Sequence, residues 1–324
     1  MENSKRGFLL GASAALLAMT PLASNAQQSE GPIKIVVGYP PGGTTDIIGR
    51  LVSKELTDVL GTSVIVENRP GASGIIGGGI VANAPPDGKT LLVVSSTHAV
   101  APFLYKSMPY DTEKDLIPVS LIAMTPYVLV VHPSVPAKDF GELVALLKAN
   151  PGKYSYASSS PGTIQHLAGE TLKRATGVDI FHVPYKGSGA LLPDLLSGRV
   201  PMMFENVAVM TPHIKEGAMR PIAVTSDERM PMLPEVPTLK ENGLGDLQLL
   251  GAFSLWAPKS TPGSTVSTLN AAVNKIVTKP EVSRRLSDLG ATPMAGPPEK
   301  LSEWLRSDQA KFGPLIEDLG LGGK

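Results

Sequence analysis

Cysteine is absent from all 324 residues, and that absence closes several routes at once. There is no disulfide framework, no thiol nucleophile, no thiolate metal site and no cysteine to carry a lipid. A two-lobed chain of this size can rely on core burial instead. An excess of one charge is missing too: 29 Lys and Arg stand against 29 Asp and Glu. Nothing in that balance points to a polyanion, so nucleic acid is not an expected partner. After the N-terminal region no long apolar run occurs, so a soluble mature protein is expected.

The N-terminus reads as an export signal. Lys5 and Arg6 form a short basic region, Gly7 to Met19 is apolar and small, and Ser24-Asn25-Ala26 offers small residues to a signal peptidase. Cleavage is expected after Ala26, giving a periplasmic protein that starts at Gln27. The apolar stretch is too short and too rich in Ala and Gly for a permanent anchor. Ser4-Lys5-Arg6-Gly7-Phe8-Leu9 is similar to a twin-arginine signal with its first Arg replaced, so an ordinary Sec signal is the favoured reading. Removing Glu2, Lys5 and Arg6 leaves 27 basic and 28 acidic side chains on 298 residues, a comfortable length for two cores.

Along the mature chain, strands, glycine-bearing loops and helices alternate. Ile33 to Val37 is a β-rich run closed by Gly38-Tyr39-Pro40-Pro41-Gly42-Gly43, and from Asp46 the apolar spacing becomes helical until Gly61. Val64–Glu67, Leu91–Val94, Tyr154–Ala157, Ile180–Val183 and Val200–Phe204 read as further strands. Alternation of this kind predicts α/β architecture with a parallel, doubly wound sheet in each lobe. Proline-broken apolar runs at Met124–Pro136 and Gly251–Pro262 suit two crossings between lobes. Lobe one is placed at residues 27–126 plus 253–324, and lobe two at 127–252.

Several familiar motifs fail. Gly71, Gly74 and Gly77 are spaced G-x-x-G-x-x-G, which lacks the G-x-G that admits a pyrophosphate. Gly88-Lys89-Thr90 resembles the end of a P-loop, yet Asn83 stands at its first glycine and a strand follows it. Ser188 lies in Lys186-Gly187-Ser188-Gly189, where Lys186 defeats a nucleophile elbow. His98, His132, His166, His182 and His213 show no ligand spacing, so no metal and no cofactor is expected. A serine hydrolase built on Ser159 and His166 is the competing reading, and no triad acid can be identified for it.

What remains is a set of polar, glycine-rich loops at strand C-termini, most of them opening helices, which is where α/β sheets bind ligands. Gly42 and Gly43 let backbone N–H groups approach an anion, Thr44 and Thr45 offer hydroxyls, and one of these threonines is expected to cap the helix. The helix start adds a partial positive charge. Ser158 to Thr163 repeats this arrangement, with His166 one turn into its helix. Asp46 is read either as a helix cap or as an acceptor for a ligand amino group.

Tyr39-Pro40-Pro41-Gly42-Gly43-Thr44-Thr45-Asp46, Val66-Glu67-Asn68-Arg69-Pro70-Gly71-Ala72 and Pro85-Pro86-Asp87-Gly88-Lys89-Thr90-Leu91 resemble the Bug (Bordetella uptake gene) family of tripartite tricarboxylate transporter binding proteins. His166-Leu167-Ala168-Gly169-Glu170, His182-Val183-Pro184-Tyr185-Lys186-Gly187 and Ala223-Val224-Thr225-Ser226 continue the resemblance in order. It implies a two-lobed periplasmic binding protein of the Venus-flytrap, type II-like kind. Such a protein is a monomer without catalytic activity that hands a small carboxylate to a permease of one large and one small membrane subunit. A sensor kinase is the alternative partner. Carried over by motif, the ligand site comprises Tyr39, Gly43, Thr44, Asp46, Ser96 and Thr97 from lobe one. Ser159, Gly162, Thr163, His166, Tyr185, Lys186, Gly187 and Ser188 face them from lobe two.

Three departures stand out. Gly198-Arg199-Val200 is followed by Pro201, which says little about ligand. Pro161 should stiffen the Ser158–Thr163 loop. Glu205 replaces a more usual Asp and reaches one methylene further into the cleft, so it joins the candidate site. None of the proposed loops contains Arg. A bidentate guanidinium clamp is thereby excluded, and neutral donors, helix ends and Lys186 are left to hold the anion.

Overall fold

The computed structural model describes residues 31–185, 188–245 and 249–323. The expected export signal and its cleavage point lie outside these residues. Among the described residues, no helix is long and apolar enough to cross a membrane.

The chain starts with β1 (Ile33–Val37), α1 (Thr44–Leu60), β2 (Val64–Asn68), α2 (Ile75–Ala82), β3 (Thr90–Ser95) and α3 (Thr97–Leu104). The three strands form a parallel ladder in the order β2-β1-β3. Side chains alternate along a strand, so β1 serves two cores. Ile33, Ile35 and Val37 join Ile48, Val52 and Leu56 of α1, while Val36 joins Ile75 and Val81 of α2. Each Leu or Ile removed from water contributes roughly 1.5–3 kcal/mol, and covering both faces fixes the strand ends from which the loops spring.

β4 (Leu116–Val131) then leaves this sheet and founds the next. Over Leu116 to Pro126 it pairs antiparallel with β9 (Leu250–Pro258), and over Tyr127 to Val131 with β7 (Met202–Asn206). Pro126 offers no N–H, which suits the point where one ladder ends and the next begins. Between β4 and β7 come α4 (Phe140–Ala149), β5 (Ser155–Ser158), α5 (Ile164–Thr176), β6 (Phe181–Pro184) and α6 (Ser188–Leu196); α7 (Val207–Lys215) and β8 (Arg220–Val224) follow β7. The order β7-β5-β6 is parallel, and β8 pairs antiparallel with β4. The parallel ladders are those the alternation predicts. β4 and β9 run antiparallel because they carry the chain across and back.

After β9 come α8 (Gly263–Val277), α9 (Pro280–Asp288), β10 (Thr292–Pro293), which pairs with β4, and α10 (Pro298–Asp318). α10 belongs to both halves. Leu301, Trp304 and Leu305 sit in the core with Val36 and Leu92 of the first sheet, whereas Phe312, Leu315 and Ile316 sit with Tyr156, Met202 and Phe204 of the second. Val100 and Leu104 of α3 join that second core as well.

Candidate functional site

The loops that follow β1, β3, β5 and β7 open on one cleft of ≈ 800 Å³ between the two sheets. Tyr39, Gly43, Thr44, Thr45, Ser95, Ser96 and Thr97 line it on one side, and Ser159, Thr163, Ile164, Gln165, Glu205 and Asn206 on the other. The crossing strands contribute Thr125, Tyr127, Gly251 and Phe253. Among the described residues, the charged side chains on this wall are Glu205 and the exposed Asp288, and both are acidic.

Positive potential comes instead from backbone. The first ladder bond of α1 runs from Ile47 N–H to Gly43 O, and that of α5 from Leu167 N–H to Thr163 O. The N–H groups of Thr44, Thr45, Ile164 and Gln165 therefore precede their helix ladders, and all four residues line the cleft. Each helix start acts as roughly half a positive charge. Together they direct partial positive charge into the cleft from both lobes, with no guanidinium among the described residues of its wall.

Asp46 supports the first loop from behind. It is 2 % exposed and accepts hydrogen bonds from Gly42 N–H at 2.9 Å, Arg50 Nε at 3.0 Å and Asn68 Nδ2 at 2.7 Å. Burial pushes its carboxyl up, but the bonds from Arg50, Gly42 and Asn68 outweigh burial and hold it below the ordinary range. It does not line the cleft. Neither Thr44 nor Thr45 caps α1, against expectation. Gly43 holds the cap position, and Asp46, three residues into the helix, reaches back to the turn.

Tyr39 and Thr97 meet in a hydroxyl cluster. Tyr39 Oη bonds Thr97 Oγ1, accepts from Ser95 Oγ at 2.8 Å and donates to the Ser73 carbonyl at 3.2 Å. Burial raises the Tyr39 phenol pKa, so the group stays neutral. Ala72 and Ser73 are the non-glycine residues with positive φ (45° and 56°) among those described. Left-handed backbone costs about 1–2 kcal/mol per residue, and the bond from Tyr39 to the Ser73 carbonyl holds it there. Ser96 Oγ accepts the Ala252 N–H at 2.5 Å, which ties the β3 loop to β9.

Lobe two is organised by Gln165, which the sequence reading passed over. Its Oε1 accepts the Ser159 N–H at 2.9 Å and the Ser159 hydroxyl at 2.5 Å, and the Thr163 hydroxyl, which donates to the Ser160 carbonyl at 2.8 Å, lies 3.3 Å from it. Its Nε2 donates to Glu205 Oε2 at 2.9 Å, and Asn206 N–H donates to Glu205 Oε1 at 2.8 Å. The one available signal was its place in the first turn of a helix opened by a Ser/Gly/Thr loop.

Four expected site residues stand off the cleft wall. Asp46 is the loop brace just described. Gly162 (φ 81°) lies against α3, where a Cβ would come within 2.6 Å of both Leu104 methyl groups. His166 is buried and its Nδ1 accepts the Gly162 N–H at 3.0 Å, while its ring stacks on His182 with centroids 3.8 Å apart. The Tyr185 hydroxyl donates to Asp194 at 2.8 Å, away from the cleft. Lys186 and Gly187 lie outside the described residues, as does the side chain of Ser188. Ser159 and His166 do not form the hydrolase pair, since the Ser159 proton goes to Gln165.

Two α/β lobes sharing crossed strands, with helix starts converging on the cleft between them, define the fold of solute-binding proteins. The tripartite tricarboxylate transporter family receptors (TctC) match residues 48–321, and the chain belongs to that family. Among curated relatives, a Pseudomonas sp. (strain P51) protein from the tcbD–tcbE intergenic region is 40 % identical over 94 % of this chain and 92 % of its own. BugT of Bordetella pertussis is 35 % identical over 89 % of each. Among solved structures, an R. palustris protein with adipate superposes with a TM-score of 0.81 at 33 % identity, covering 90 % of this chain and 98 % of its own. Malate-bound MatC from Rhodopseudomonas palustris gives 0.76 at 31 % identity, covering 88 % and 98 %.

Proposed function

We propose that the protein captures a small carboxylate in the periplasm and hands it to the membrane permease of a tripartite tricarboxylate-type transporter, without chemical turnover. The observation that carries this reading is the convergence of the α1 and α5 starts on one cleft from opposite lobes. Relatives solved with adipate and malate support the ligand class. Donors from both lobes make the closed form the better binder, and only that difference can shift a population between open and closed. Tyr39, Gly43, Thr44, Ser96 and Thr97 serve as lobe-one contacts, and Ser159, Thr163, Gln165 and Glu205 shape the other side.

A thermal-shift screen of mono-, di- and tricarboxylates, amino acids and aromatic acids is the test. At least one acid should raise the melting temperature and reduce the radius of gyration in small-angle scattering, while NMR shows the acid unchanged after long incubation. An acid that is consumed, or no binding by any acid, would end this reading.

A further inference from the structure

The ladder between β4 and β7 begins with Tyr127 opposite Asn206. Residues directly opposite in an antiparallel pair carry their side chains on one face, with Cβ atoms about 5 Å apart. Both of these residues line the cleft. They stand beside Pro126, where the first sheet hands the chain to the second.

Each holds a hydrogen-bond donor that the protein leaves unused. Asn206 is 7 % exposed and caps α7, its Oδ1 accepting the Ala208 N–H at 2.8 Å. Turning the amide round would set its NH2 against that N–H, so Oδ1 stays and Nδ2 is directed elsewhere. Among the described residues, neither Nδ2 of Asn206 nor Oη of Tyr127 has a hydrogen-bond partner. Burial pushes the Tyr127 phenol up, so it keeps its proton. The Tyr127 backbone N–H and carbonyl are both held by Thr225. Gly251 leaves the ring room, since a Cβ there would come within 3.2 Å of Cε2 and 3.4 Å of Oη. By contrast, the Ser159 and Thr163 hydroxyls on the same wall donate within the protein.

We infer that Tyr127 and Asn206 form a paired contact for the ligand, donating to an oxygen acceptor other than the carboxylate met by the helix starts. The inference rests on the carboxylate reading above and adds a second recognition point to it. A carboxylate offers about four lone-pair positions, and the N–H groups of Thr44, Thr45, Ile164 and Gln165 match them. Donors beyond those serve another group. Buried polar groups are nearly always bonded, so this pair is satisfied by water in an open cleft and by a ligand oxygen in a filled one. An acid ending in a methyl group would displace that water and leave both donors unbonded.

The test compares acids matched in shape by calorimetry near neutral pH: hexanoate, 5-oxohexanoate and adipate, then benzoate, 4-acetylbenzoate and terephthalate. In at least one set an acid with a second acceptor should bind the wild-type protein about tenfold or more tighter than the plain acid. Tyr127→Phe removes one donor, and Asn206→Ser removes the amide while keeping a residue that caps helices. Each should shrink that advantage to about threefold or less and leave the plain acid within about threefold of its wild-type affinity. Plain acids that bind the wild type as tightly as their partners overturn the inference while leaving carboxylate capture intact. An advantage that survives Tyr127→Phe overturns it equally, as does a plain acid weakened as much as its partners, which would put the first carboxylate on this pair. If Asn206→Ser fails to fold, Tyr127→Phe decides. Failure of all six acids to bind overturns the inference, and only an empty wider screen removes the carboxylate reading with it.

Discussion

Thr225 accepts the Tyr127 N–H at 2.8 Å through its hydroxyl, and its own N–H returns to the Tyr127 carbonyl at 2.9 Å. The same hydroxyl donates to Leu249 O at 2.5 Å. One buried side chain thus joins the outgoing crossing, at Tyr127, to the returning one, at Leu249, where the two sheets meet. Thr225→Val keeps the shape and removes both side-chain bonds. Leaving a buried N–H and C=O unsatisfied costs about 1–3 kcal/mol each, so the denaturant midpoint should fall while the far-UV spectrum stays native. An unchanged midpoint would show that the two crossings are held by their ladders alone.

Gln165→Ala tests the lobe-two side of the site. It releases the Ser159 N–H and hydroxyl from their common acceptor and takes one donor from Glu205. Affinity for the best acid found in the screen should fall on the order of 10-fold or more, since bonds involving charged groups are worth about 1.5–3 kcal/mol. Calorimetry of the folded variant measures this. Full affinity would place the ligand away from this loop.

Gly162→Ala should destabilise the protein without touching the cleft wall. The residue has φ 81°, and its new methyl group would press on Leu104 at 2.6 Å. Left-handed strain and overpacking together cost about 2–4 kcal/mol. Thermal unfolding should report the loss, and the combined cost with Leu104→Ala should fall short of the sum of the two single costs, because the truncated side chain makes room.

Asp308 gives stability a particular pH dependence. Burial raises its carboxyl from 3.8 to about 7, against a lowering pull from Lys311, and Oδ2 has no hydrogen-bond partner. The folded state therefore holds this proton more tightly than the unfolded chain. The contribution is fully present below the unfolded value and disappears as pH rises through about 7. His98 and His182, both pushed down to about 4 by burial, act in the opposite sense, losing stability as pH falls below their ordinary value of 6.5. The difference between wild type and Asp308→Asn isolates the carboxyl. The variant should gain on wild type as pH rises from about 4 to about 7, by a few kcal/mol in all. A flat difference would mean that Asp308 is already ionised in the fold.

Periodicity made the parallel ladders and their glycine-rich loops legible, because apolar spacing switches from β1 to α1 within a few residues. The crossing strand β4 was harder to read. Sixteen residues containing Pro118 and Pro126 look like an interrupted run, and their ladder partners lie far away in sequence. The site was legible as a set of loops but only partly as side chains. Hydroxyls at Ser159 and Thr163 look like ligand donors in a sequence, yet each proton is spent inside the protein, on Gln165 and on Ser160. Asp46 and His166 share that fate, since both turn inward to hold the backbone of the loop they follow. Which way such a group turns is decided by distant partners such as Asn68 and Leu104, and no local pattern encodes them.

α10 restricts how the lobes can move. Its 21 residues make a rod about 30 Å long, anchored in one core by Trp304 and Leu305 and in the other by Phe312 and Ile316. A stiff rod embedded at both ends resists sliding and shear but tolerates torsion. Gly313 packed against Phe103, followed by Pro314, puts the rod's most compliant point just past the changeover between cores, since Pro314 cannot donate back to the preceding turn. A cleft that closes on a ligand as proposed would then do so by a twist about this spindle rather than by a free swing of the lobes.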